Sequence, residues 1–379
     1  MRYFYWYLYV LLWLFACIAP YISLKAQKRL LALYCAIWAF VFGFRRYDVG
    51  NDTIGYAAYF KNEGSGLGYG TVDRPFDTAE EGFVFVSRII NIFTENATVV
   101  FLIIGIAVWS MMYLLYKKSR TPLLSLFFVM TILNVMFYTM QIALRQSISV
   151  IVIGCGVLCI YHSCVKNIKD VLRNKWALAG ILLCLSSITI HRTTGAFIGL
   201  LVLAYYLKLN KKSTFAIILS FTIIGLFAAQ LLSNAFDYAL VMIGGVTDEN
   251  INLLADRYEG NMDTNRFSRG GAIAWIILVF STCFLTKEKD INRFPFKLFV
   301  LTFCLHQLLQ FSQMHVRVMA LPIILSFTAC VPSIFHRRSA WYNYYLLLGL
   351  MLLALNFNWL SDWDTIADRA VPYYFIWQK

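Results

Sequence analysis

The sequence predicts an all-α polytopic membrane protein with about twelve spanning helices of roughly 20 residues each. Two observations carry this. Apolar residues make up 60% of the 379-residue chain and charged residues only 14%, well outside the usual soluble balance. Apolar runs approaching bilayer length also follow one another along the chain, and lipid offers no partner for an open strand edge, so helix is the default. A third observation, the sidedness of the charges, orients the spans.

The apolar runs fall at 4–22, 29–44, 98–116, 122–141, 144–163, 176–191, 194–207, 214–233, 270–286, 296–315, 317–335 and 341–359. The first is aromatic-rich and lacks a small-residue cleavage site, so it is expected to remain in the protein. The reading is a single transmembrane domain over 1–379 with two long loops, 45–97 and 234–269. All nine cysteines lie in or at the ends of apolar runs. There they read as small buried residues and not as a disulfide framework or a zinc site.

Short loops at 23–29, 117–121, 164–175, 208–213, 287–297 and 336–340 hold 19 of the 33 Lys and Arg and only 3 of the 20 acids. By the positive-inside bias these loops face the cytoplasm, and both termini and both long loops face outward. The net charge of +13 is thereby a topology signal, and no nucleic-acid partner is needed to account for it. Topology does not account for Arg45, Arg46, Arg145, Arg192, Arg266, Arg269 and Arg317. All fall on the outward side near span ends, and cations gathered there point to an anionic ligand.

Each polar stretch has a functional and a bland reading. In "RRYDVGND", Arg45 or Arg46 would grip a phosphate while Asp48 and Asp52 orient hydroxyls or hold the arginines; the bland reading is a turn with surface ion pairs. A metal at Asp48 and Asp52 is weaker, because no third ligand stands beside them.

The stretch 75–93, "PFDTAEEGFVFVSRIINIF", reads as an interfacial helix, with Phe83, Val86, Ile90 and Phe93 at helical spacing. Asp77 and Glu80 have capping-box spacing, and local grounds favour that role for Glu80 over a base or sugar anchor. Arg145 and Gln146 interrupt apolar sequence, where a bare charge costs about 2.5–3.5 kcal/mol at mid-span. The bland alternative there is an arginine snorkelling outward.

His191 and Arg192, followed by two threonines, form a candidate proton acceptor and phosphate ligand. Arg266 and Arg269 are spaced to share one helical face. His315 and Arg317 open a late span. No catalytic-triad spacing, P-loop, dinucleotide fingerprint or HExxH motif is present.

Five of these stretches occur in an order that resembles one family. "FRRYDVGNDTIGY", "EEGF", "LRQSISVIVI", "ITIHRTTGAFIGL" and "VRVMALPIIL" are similar to segments of the EpsG family of bacterial exopolysaccharide and O-antigen polymerases, which are Wzy-like proteins. Together they run from about residue 40 to 325. Arg45 is an added cation, and Asn51-Asp52-Thr53 stands where Thr-Asp-Tyr is commoner.

The resemblance implies a C-type membrane glycosyltransferase fold. It also implies a metal- and cofactor-independent polymerase at the outer face of the bacterial inner membrane. Such an enzyme moves a growing glycan from polyprenyl diphosphate to the next lipid-linked oligosaccharide repeat, with membrane lipid and a chain-length regulator as further partners. Fixed arginines would stabilise the departing diphosphate. His191, Glu80 and Asp52 compete as the base, and Tyr47, Tyr56, Tyr59 and Tyr69 suit sugar stacking. Rival readings are a flippase for the lipid-linked oligosaccharide, a C-type enzyme adding one sugar from a polyprenyl monophosphate, and a glycan acyltransferase.

Overall fold

The computed structural model describes residues 4–46, 80–119, 121–132, 144–163, 173–192, 194–227 and 286–309. It also describes isolated positions at 53, 56, 57, 60, 276–284 in part, 342–352 in part, 375 and 377. Among the described residues every regular element is helical. The helices are α1 (Phe4–Ile18), α2 (Leu24–Gly43), α3 (Glu81–Asn91), α4 (Ala97–Tyr116), α5 (Pro122–Ile132), α6 (Leu144–Ser163), α7 (Lys175–Ile190), α8 (Thr194–Tyr206), α9 (Lys211–Phe227), α10 (Glu288–Ile291) and α11 (Phe294–Leu309).

By length and composition, α4 is the one described helix that can cross a bilayer unaided, and several others are shorter apolar helices. The count of twelve spans rests partly on 228–275 and 310–341, which lie outside the described residues.

Side-chain caps set several helix starts. Ser23 accepts from the amide of Ala26 at 3.2 Å, so α2 begins five residues before the apolar run suggests. The basic residues Lys25, Lys28 and Arg29 belong to its first turns. Asn96 accepts from Thr98 and Val99 to open α4. Asn174 accepts from Trp176 and Ala177 to open α7 and donates to the carbonyl of Ser163 at the end of α6. Each satisfies amides that a helix start leaves bare.

The chain divides into two compact units, one of residues 1–130, 136–199 and 363–379 and the other of 131–135 and 200–362. In the first, α2 packs on α4, α4 on α6, α6 on α7, and α7 carries α3. Its aromatic centre is Trp38, stacked on Trp109 with ring centroids 5.2 Å apart and flanked by Tyr5, Tyr9 and Tyr34.

The backbone of Arg45 bridges antiparallel to Phe375. Phe375 and Trp377 stack at 4.6 Å and lie against Phe40 and Phe44. Residues near the end of the sequence thus complete the unit that its beginning founds.

Contact between α6 and α7 is close enough for backbone to meet backbone. A Cβ on Gly180 would sit 2.6 Å from the Gly156 carbonyl oxygen and 3.0 Å from the Ile160 nitrogen. Small residues serve helix association in lipid because burial supplies no drive there. A Gly180→Val variant is expected to lose about 1–3 kcal/mol through overpacking. The check is thermal unfolding of detergent-solubilised protein, where an unchanged midpoint contradicts the close approach.

In the second unit α9 packs on α11. The two basic loops that close it are joined to each other. Leu209 donates its amide to Asn292, Lys211 donates its amide to Glu288 and its ammonium to the Phe284 carbonyl. Lys297 donates to the carbonyls of Tyr205 and Leu207 at the end of α8. Loops 208–213 and 287–297, both read as cytoplasmic from their charge, therefore lie on one side of this unit.

Candidate functional site

Four residues, "EEGF", explain how the interfacial helix reaches a membrane helix. Gly82 faces the last turn of α7, and a Cβ there would stand 2.8 Å from the carbonyl carbon of Thr189 and 2.9 Å from its oxygen. Only glycine permits that approach. Phe83 is fully buried and meets the rings of Tyr56 and Phe60 at 5.9 and 6.5 Å. Ser87, one turn on, donates to the Phe83 carbonyl. Glu80 precedes the helix as its N-cap in extended conformation.

Glu80 does not serve as a capping-box residue. It makes no side-chain cap bond, because the helix starts after it and its carboxylate is drawn elsewhere. One oxygen accepts from Arg145 Nη1 at 2.6 Å. The other lies 3.4 Å from His191 Nδ1 and 3.5 Å from the amide of Arg192. Arg145 occupies the first turn of α6, and its Nε donates to the Tyr56 hydroxyl at 3.4 Å. Gln146 beside it is buried.

His191 stands where α7 stops. Its φ of −155° and ψ of 110° leave the helix, and its amide donates to the Ser187 carbonyl. The His191 carbonyl accepts from both the amide and the hydroxyl of Thr194, and Ser187 donates to that hydroxyl. The polar break in "SITIHRTTGAF" is therefore a fastened helix-to-helix junction that aims an imidazole sideways at Glu80.

Side-chain exposures are 10% for Glu80, 12% for His191 and 29% for Arg145, so the pair is sheltered and the arginine opens towards solvent. Burial raises the Glu80 pKa, but the facing His191 ring and the Arg145 charge outweigh it and hold the carboxyl down at about 2. Glu80 is consequently ionised at neutral pH. Its stabilising contribution is complete above the ordinary value of 4.5 and is lost as pH falls towards about 2.

The predicted site residues fall into three groups. Glu80, Arg145, His191, Tyr56 and the backbone of Arg192 come together, although they are far apart in the sequence, and the Arg192 side chain is exposed. Arg45 and Tyr56 are buried. The Arg45 guanidinium lies 4.4 Å from the Phe42 ring centroid and 5.1 Å from that of Phe101, a cation–π setting. Tyr56 is buried against Phe83 with its hydroxyl on Arg145. It orients an arginine and offers no open face to a sugar. Arg46 is half-buried beside Arg45. The third group, Tyr47, Asp48, Asp52, Arg266, Arg269 and Arg317, lies outside the described residues.

Sequence reasoning gave no site role to Gly82, Phe60 or Thr189, and read Phe83 only as part of an apolar stripe. A glycine–aromatic pair directly after an acid, at the head of an amphipathic helix, was the available signal. No curated protein and no solved structure matches the chain. The model of the EpsG family matches residues 28–375, from the second turn of α2 to the residue that bridges Arg45, and the chain belongs to the EpsG family.

Proposed function

We propose that this EpsG-family membrane protein is a polysaccharide polymerase. It transfers a growing glycan from a polyprenyl diphosphate carrier to the next lipid-linked oligosaccharide repeat, at the outer face of a bacterial cytoplasmic membrane. The observation that supports this reading is the sheltered Glu80–Arg145–His191 cluster, gathered from three separate stretches at the ends of helices. Cleaving a sugar–phosphate bond builds negative charge on the departing diphosphate. Arg145 is part-exposed and oriented by Tyr56 and Glu80, which suits a guanidinium held ready for phosphate oxygens. Arg46, Arg192, Arg266, Arg269 and Arg317 complete the positive rim in this proposal, and a chain-length regulator is the expected protein partner.

The test is reconstitution of the full-length protein in liposomes with polyprenyl-diphosphate-linked repeat units. A ladder of polymer is expected, and it is expected to persist in excess chelator because arginines supply the positive charge. Loss of the ladder on chelation, restored by a divalent ion, would favour the single-sugar transferase with Asp48 and Asp52 as ligands. Movement of repeats across the bilayer with no ladder would make the protein a transporter.

A further inference from the structure

We propose that His191 Nε2 is the atom that takes the proton of the acceptor hydroxyl, and that Glu80 is a positioning residue acting through His191. This rests on the polymerase reading. Glu80 has both oxygens committed, one to Arg145 at 2.6 Å and one facing His191 Nδ1 at 3.4 Å. A carboxylate whose conjugate acid titrates at about 2 is also a poor proton acceptor near neutral pH.

His191 has the complementary character. At 3.4 Å its Nδ1 is at ion-pair distance from Glu80, a contact of the kind that tightens when substrate closes a site. Its Nε2 is shielded from solvent and has no hydrogen-bond partner among the described residues. With the proton on Nδ1, towards the carboxylate, Nε2 carries the lone pair. Buried ring nitrogens are ordinarily satisfied, so a bare one beside an arginine is a place for a substrate hydroxyl. Among the described residues, the charged and titratable groups about the ring are Glu80 before α3, Arg145 from α6 with the Tyr56 hydroxyl behind it, and Arg192 next along the chain; Glu81 is exposed.

In the reaction the acceptor hydroxyl oxygen forms a bond to the anomeric carbon of the donor glycan. The bond from that carbon to the diphosphate oxygen breaks, and its electron pair leaves with the diphosphate. The hydroxyl proton passes to Nε2. The imidazolium so formed faces the Glu80 carboxylate, while Arg145 balances the leaving group. Glu80 thereby keeps a second positive charge from arising unopposed beside Arg145. After transfer, the proton returns to the diphosphate or to water.

The experiment uses the full-length protein in liposomes with lipid-linked repeats, under single turnover and at saturation. His191→Ala is expected to lower the rate about 10²- to 10⁴-fold with little change in KM. Added imidazole is expected to restore part of it, increasingly as pH rises and free imidazole sheds its proton. Glu80→Gln is expected to lower the rate about tenfold or more in the wild-type background and by a clearly smaller factor in the His191→Ala background, where only its hold on Arg145 is left to lose. A purely structural role would not yield to imidazole and would cost the same in both backgrounds.

His191→Gly provides a second cavity for imidazole, and size-exclusion elution verifies folding of each variant. Absence of rescue in both correctly eluting histidine variants, or an equal cost of Glu80→Gln in both backgrounds, overturns the assignment. Failure of the wild-type protein to extend the repeats would instead overturn the polymerase reading, so the two failures are distinguishable.

Discussion

Arg145→Ala is expected to leave the protein inserted in the membrane and to lower polymerisation by about one to two orders of magnitude. Each hydrogen bond to a charged group is worth ~1.5–3 kcal/mol, and 1.4 kcal/mol is a factor of ten in rate. Cells carrying this variant should accumulate single lipid-linked repeats on the outer face.

Stability should fall as well. Removing the guanidinium strands a carboxylate that is only 10% exposed, and breaking a buried pair costs up to about 3–5 kcal/mol, less where one partner is part-exposed. The two effects separate in the Arg145→Ala/Glu80→Gln protein. Its unfolding temperature should return towards the wild-type value, because no unpaired charge remains, while the glycan ladder stays short. Arg145→Lys should recover activity only partly, since a point charge cannot donate to Tyr56 and Glu80 from one plane. A normal ladder from Arg145→Ala would remove Arg145 from the diphosphate site.

Gly82→Ala is the second large effect expected, and its sign is informative. Helix propensity alone predicts a gain of about 1 kcal/mol. The packing predicts the opposite, because the new Cβ would stand 2.8 Å from the Thr189 carbonyl carbon, and backbone in the last turn of α7 cannot swing aside as a side chain can. α3 must then lift, carrying Glu80 away from Arg145 and His191. A displacement of about 1 Å in such a constellation can cost about 10²-fold in rate. The control is Gly199→Ala in α8, where a Cβ meets nothing within 4 Å; that variant should polymerise normally. If Gly82→Ala is as active as the control, α3 does not position the site.

Much of the architecture was legible because lipid imposes simple rules. The run read as 144–163 is the helix Leu144–Ser163, and 176–191 and 194–207 are Lys175–Ile190 and Thr194–Tyr206. Failures came where a polar residue answers to a distant partner. Lys25 to Arg29 looked like a loop, yet Ser23 caps a helix there. Glu80 looked like a cap because spacing sees only neighbours, whereas Arg145 and His191 claim it from 65 and 111 residues away in the chain. Phe93 was read as the last member of the apolar stripe of the interfacial helix, but α3 ends at Asn91, so Phe93 lies past its end and is 79% exposed. Tyr56 was given to a sugar on residue type alone, and only the fold reveals that Phe83 covers its ring.

The bridge between Arg45 and Phe375 has a consequence for biosynthesis. These residues are separated by 330 positions of chain (375 − 45), which a ribosome working at ~5–20 residues per second takes roughly 15 to 65 s to synthesise. For that interval the aromatic surface of Phe40 and Phe44 waits without Phe375 and Trp377. The first unit is therefore finished only once the second has been synthesised. A premature stop anywhere in the second unit leaves the first unit without its closing segment, and such fragments are natural clients for membrane quality control.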